Sequence, residues 1–228
     1  MTWLSEPTAI IETSKADFTE FHEHIRPAAK PLVMHGLVAD WPSVAAGKRG
    51  DKAMVAYLDE CGTTRPVTAL AAAPSEQGRL FYNPQLTGFN FIKGQGQLAK
   101  FLGDLMNENA KDMPHAMSVQ SEVLRIVSPR FAQANRLDLL PDVEGRIWLG
   151  NRVRTATHYD LSENVACNVA GRRRFILFPP EQISNLYLGP LELTPAGTPT
   201  SLVDPINPDL EIYPRFAEAW KYAQTATL

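Results

Sequence analysis

Eighteen prolines are spread along 228 residues, which is too many for a helical bundle. Each proline removes a backbone donor and clashes with the preceding helical turn. The chain must therefore fold as short elements joined by loops. Apolar residues make up 44% and charged residues 21%, which is globular usage and argues against disorder. A chain of this length buries roughly 70% of its unfolded surface, enough for one core without staples. Charge sets a second limit. The 25 acidic and 22 basic residues give a net −3, so no broad cationic field exists for nucleic acid or anionic lipid. No apolar run approaches the ~20 residues of a membrane span. Residues Met1 to Pro7 carry neither a basic start nor an apolar core of a secretion signal. Cys61 and Cys167 form no CxxC pair and read as buried thiols in a reducing compartment, so a cytoplasmic location is expected.

Periodicity divides the chain into a mixed first half and a β-rich second half. Phe18, Phe21 and Ile25 predict a helix from about Lys15 to Ile25, capped by Ser14 and ended by Pro27. Pro31 to His35 reads as a buried strand. Helices follow over Lys52 to Cys61, stopped by Gly62, and over Gln97 to Met106, with Leu98, Phe101, Leu102 and Leu105 on one stripe. Arg65 to Leu70, Arg79 to Asn83 and Ala116 to Gln120 read as strands, and Pro84 and Gly88 frame the turn before Phe89-Asn90-Phe91-Ile92. Glu122 to Leu140 reads as mostly helical, broken near Pro129. From residue 146 onward strands are expected at Ile147 to Leu149 and Thr155 to Asp160. Asn164 to Val169 and Arg173 to Phe178 suggest a hairpin about Ala170-Gly171. Ser201 to Val203 reads as a further strand, Phe216 to Tyr222 as a short helix, and Ala223 to Leu228 alternates. The pattern predicts a single α+β domain built around an antiparallel sheet or barrel.

The residues that could carry chemistry are few. In a strand, His158 and Asp160 of His158-Tyr159-Asp160 would point to the same face. An imidazole and a carboxylate so placed can take adjacent positions on one metal ion, as in sites with two histidines and one carboxylate. The bare tripeptide also arises by chance, and a hydrogen-bonded polar histidine is its competing reading. Arg172-Arg173-Arg174 either turns Arg173 inward to pair with a carboxylate or forms a solvated basic turn. Thr155 and Asn164 could each hydrogen-bond a bound acid or serve as strand-end and turn residues. No phosphate-cradling loop and no GxSxG motif occurs, and Gly94-Gln95-Gly96 lacks the third glycine of a dinucleotide fingerprint.

Several short motifs in order carry a resemblance. They are Ile147-Trp148-Leu149-Gly150-Asn151, Thr155-Ala156-Thr157-His158-Tyr159-Asp160, Asn164, Gly171-Arg172-Arg173-Arg174-Phe175-Ile176-Leu177-Phe178-Pro179-Pro180 and Leu186-Tyr187-Leu188-Gly189-Pro190. Together they resemble the cupin-like JmjC proteins, relatives of the asparaginyl hydroxylase of the hypoxia response. The resemblance implies a double-stranded β-helix, or jelly-roll barrel, with N-terminal helices outside it. About residues 1–112 would be helices and flanking strands, and about 113–228 the barrel core. It also implies Fe(II) and 2-oxoglutarate, with hydroxylation of a protein side chain or small molecule. By position His158 and Asp160 match two iron ligands. Thr155 and Asn164 match residues beside the co-substrate, and Arg173 stands where the hydroxylases place a lysine on its distal carboxylate. Tyr82 and Asn90 match positions lining the substrate pocket.

One departure qualifies this. The family's third iron ligand is a histidine on a late strand, and all other histidines here, His22, His24, His35 and His115, precede His158. The reading therefore expects a barrel lacking its late strands, a truncated chain, impaired iron binding and open edges that invite homodimers. The alternative is a non-catalytic cupin-like binding module.

Overall fold

The computed structural model describes residues 4–14 and 16–228. The strands β1 (Thr8–Ala9) and β2 (Ile11–Thr13) come first. Helix α1 (Phe18–Glu20) is capped by Asp17, whose carboxylate accepts from the Glu20 amide at 2.8 Å, and it widens into a π-turn at Phe21–Ile25. Asp17 rather than Ser14 is the cap, because it stands three residues before the amide it satisfies. The expected start at Lys15 lies outside the described residues.

Next come β3 (Leu32–Met34), α2 (Pro42–Lys48), α3 (Asp51–Cys61), β4 (Val67–Ala72), β5 (Arg79–Leu80), β6 (Phe91–Gly96) and α4 (Leu98–Asn109). Then β7 (Ala116–Val123) leads into α5 (Leu124–Val127) and α6 (Pro129–Ala134). Residues 122–140 are thus a strand end, two short helices and a turn, not one broken helix. Glu122 and Val123 pair with the following strand, and Pro129 starts a new helix at its first turn, where its missing N–H costs nothing.

The second half contributes β8 (Arg146–Gly150), β9 (Arg154–Thr155), β10 (Arg174–Leu177), α7 (Phe216–Trp220) and β11 (Gln224–Thr227). An antiparallel sheet runs β6–β4–β7–β8. Side chains alternate across it with period two. Val67 and Val119 face a helical layer of Leu58, Phe101, Leu102, Val127 and Phe131. Leu70, Ala72, Phe91 and Ala116 face the other way, onto Leu80. A three-stranded sheet, β1–β11–β10, covers a second core around Phe216, Ala219 and Trp220.

Three expectations fail in the second half, the first being Ser201 to Val203, where only Ser201 makes an isolated bridge, to Leu188. Thr155 to Asp160 is not a strand: regular pairing stops at Thr155, His158 makes one isolated bridge to Thr200, and no strand among the described residues pairs with Asp160. The hairpin about Ala170-Gly171 is absent because the ladder partner of β10 is β11. Residues 163–169 form no strand. The architecture is α+β with jelly-roll-like antiparallel sheets, and the described residues close no barrel.

Two glycines make opposite predictions. Gly103 lies inside α4, and an added Cβ would meet nothing within 4 Å. Gly103→Ala should stabilise the fold by roughly 0.5–1 kcal/mol, the ordinary helix gain. Gly47 lies in α2, and its added Cβ would come within 2.1 Å of the Val169 carbonyl oxygen. Gly47→Ala should lower the thermal midpoint, because α2 must lift off residues 169–170.

Glu108 gives an acid-side prediction. Its carboxylate accepts from Lys111 Nζ at 2.6 Å and from the His115 amide at 2.8 Å, joining the end of α4 to the start of β7. These contacts, the lysine first, pull its pKa from 4.5 down to about 2. A depressed carboxylate contributes stability that is present above its unfolded value and is lost as pH falls through the folded one. Denaturation midpoints should therefore fall from pH 4.5 to 2, and the fall should be shallower in Glu108→Gln.

Candidate metal centre

Residues 151–158 are pinned on several sides. Asn151 Oδ1 accepts from the Met117 amide at 3.0 Å, and its Nδ2 donates to the His115 carbonyl at 2.8 Å. The Arg154 amide donates to Gly78 O at 2.7 Å, and its guanidinium pairs with Asp204 at 3.1 Å. The Ser201 amide donates to Thr157 O at 2.8 Å, so His158 is delivered beside the fully buried Thr200–Ser201 segment.

The His158 ring is then fixed by its own backbone. Nδ1 lies 2.8 Å from the Ala156 carbonyl oxygen, which can only accept. Nδ1 therefore carries the hydrogen, and Nε2 presents a lone pair. That lone pair faces Asp160 Oδ1 at 3.7 Å, beyond hydrogen-bond reach. The other carboxylate oxygen, Oδ2, accepts from Asn164 Nδ2 at 2.8 Å. His158 and Asp160 thus face each other without a regular strand between them.

The structure brings His158, Asp160 and Asn164 together, and no hydrogen bond or ion pair links the other candidates to them. Thr155 is exposed at the end of β9, in register with Leu80. Arg173 stacks its guanidinium over Phe175 at 4.9 Å. It stays exposed, yet surrounding protein desolvates it and lowers its pKa. Tyr82 is buried, and its hydroxyl donates to Pro190 O at 3.3 Å; burial raises its pKa. Asn90 accepts from the Phe81 amide at 2.8 Å and donates to Glu76 and to Arg79 O, which occupies its whole amide in the turn. The Ala156 carbonyl and the Arg26–Glu163 pair at 2.7 Å were not found from sequence. A backbone acceptor leaves no residue-type signal, and the ion pair spans distant segments.

A family profile described as a cupin-like domain matches residues 18–228. This chain belongs to the cupin-like domain family. Among curated proteins, a lysine-specific demethylase, JMJ31 of Arabidopsis thaliana, is 31% identical over 142 residues, 61% of this chain and 23% of that protein. The human tRNA wybutosine-synthesizing protein 5 is 26% identical over 226 residues, covering 89% of this chain and 64% of its own length. The Gallus gallus protein of that name is 41% identical over 66 residues, 29% of this chain and 19% of that protein. The cupin-like chain therefore spans less than two thirds of each of these relatives. The family is related to the 2-oxoglutarate-dependent oxygenases, and its JmjC members usually use Fe(II) and 2-oxoglutarate. Among the described residues, no helix is long and apolar enough to cross a membrane.

The donor set of this cupin-like chain fits two adjacent positions on such an ion. Cis donors with bonds near 2.1 Å lie about 3 Å apart, so the 3.7 Å gap closes with a small side-chain shift. Among the described residues no group of three His, Cys, Asp or Glu side chains could complete the set. His22 contacts Leu139 O, His35 pairs with Glu12 and His115 pairs with Glu108.

Cys167 lies seven residues past Asp160, half-buried, and desolvation pushes its thiol up to about 11. At pH 8 roughly one molecule in a thousand would carry the thiolate there. Alkylation of native Cys167 at pH 8 should be slow and should accelerate sharply in denaturant, as followed by mass spectrometry.

Proposed function

We propose that this chain is an Fe(II)- and 2-oxoglutarate-dependent oxygenase domain that hydroxylates a protein side chain or a small molecule. The observation that carries the reading is the meeting of His158 Nε2 and Asp160 Oδ1, with the imidazole tautomer set by Ala156 O. These two atoms would hold the metal, and by their positions in the family pattern Arg173 would supply positive charge for the distal carboxylate of the co-substrate and Thr155 a hydroxyl donor. When bound, Fe(II) would let dioxygen, the oxidant, place one oxygen atom in succinate as 2-oxoglutarate loses CO2 and the other in a substrate C–H bond. With two protein donors the site binds metal weakly, since each missing ligand lowers affinity and loosens geometry. The plant relative is named for a lysine side chain and the vertebrate relatives for a tRNA. The net charge of −3 favours the protein or small-molecule class over a polyanion here.

A second reading, a cupin-like module that binds without turnover, is favoured by the lack of a third donor among the described residues. Calorimetric titration with Mn(II), followed by a succinate assay with Fe(II) and 2-oxoglutarate, separates the two. The expected result is weak metal binding and slow succinate formation, both lost in His158→Ala. Binding without succinate would favour the module, and tight 1:1 binding would overturn the two-donor site.

A further inference from the structure

Asp160 sits in a stretch that the backbone does not hold. From Tyr159 to Ala170 no main-chain hydrogen bond joins the described residues, and the Asp160 side chain is 49% exposed. An exposed carboxylate on such a segment samples several rotamers unless a side chain restrains it. One does. Asn164 Nδ2 lies 2.8 Å from Asp160 Oδ2 and 3.3 Å from the Ser162 carbonyl oxygen. Both neighbours are acceptors only, so the nitrogen of the amide, not its oxygen, must face them. Donation to Oδ2 leaves Oδ1 turned toward His158 Nε2. One residue earlier, Glu163 pairs with Arg26 at 2.7 Å and ties the same turn to the N-terminal helical segment.

We propose that Asn164 is a positioning residue that presents Asp160 to the metal through Oδ1 alone. The inference rests on the metal reading above. Its consequence is specific: Asn164 governs metal affinity even when 2-oxoglutarate is absent. Residues that hydrogen-bond a metal ligand commonly change metal affinity by about 10–100-fold when lost. Asn164 is exposed, so replacing it removes no core contact.

The test is Mn(II) titration of the full chain without 2-oxoglutarate, counting free Mn(II) by electron paramagnetic resonance. Asn164→Leu keeps the side-chain size and removes the donor, and Asn164→Gln keeps the amide. Asn164→Leu should weaken Mn(II) binding about tenfold or more, with an unchanged metal-free thermal midpoint, and Asn164→Gln should recover much of the loss. Unchanged Mn(II) affinity in Asn164→Leu, in a chain whose His158→Ala has lost binding, would overturn the positioning role and leave the metal site standing. Equal losses in the Leu and Gln variants would also overturn it. If the unmodified chain binds no Mn(II), the metal site fails and the inference falls with it.

Discussion

The geometry around His158 depends on how the chain leaves its main sheet. β8 ends at Gly150, and Asn151 turns back to bond both the Met117 amide and the His115 carbonyl. That pair of hydrogen bonds fixes the exit direction at the first step. Gly78 O, Asp204 and Ser201 then hold the next residues in turn, from two separate parts of the sequence. Such long-range contacts are entropically costly to assemble, and once made they leave the backbone at His158 little freedom. Beyond His158 this support stops, and side chains take over from the ladder.

This change explains which elements were legible in the sequence. α3 and α4 carry their signals locally: an apolar stripe at helical spacing, and Gly62 at a positive φ of 67° where α3 must stop. β4 and β7 were legible as apolar strands, but buried residues fall on both of their faces, so their facing was not legible from alternation. α2 was invisible because its anchor is Gly47 against Val169, a contact between residues far apart in sequence. The hairpin error has the same origin. Arg173 to Phe178 has strand composition, and the sequence near it offers Asn164 to Val169 as a partner. The real partner, β11, lies about fifty residues downstream and also pairs in parallel with β1 near the start of the chain. Composition says that a strand exists and says little about what it pairs with.

The site shows the same split at the scale of single atoms. The spacing of His158 and Asp160 raised the possibility that they share a face, but by assuming a strand that the structure does not contain. They meet for two other reasons: a ring nitrogen held by a carbonyl two residues back, and a carboxylate held by an amide four residues on. Asn164 was readable as a polar residue near the pair. Its partner was not, because an asparagine that caps a carboxylate and one that contacts a bound acid have the same residue type. Tyr82 and Asn90 illustrate the same limit. Their positions match the family pattern, while the partners of their polar atoms within the protein, Pro190, Phe81, Glu76 and Arg79, carry no signal in the sequence.

The 3.7 Å separation itself carries an argument. With the hydrogen on Nδ1, a nitrogen lone pair and a carboxylate oxygen face the same small volume, and neither can donate to the other. Nothing in their mutual interaction favours that arrangement. It persists because each group has an outer partner on its far side, Ala156 O for the ring and Asn164 Nδ2 for the carboxylate. Two acceptors converging under outside restraint form a pairing whose lone pairs a cation would satisfy together. The partial exposure of both side chains keeps the cost of assembling them low before any ion arrives, because solvent still screens the carboxylate charge.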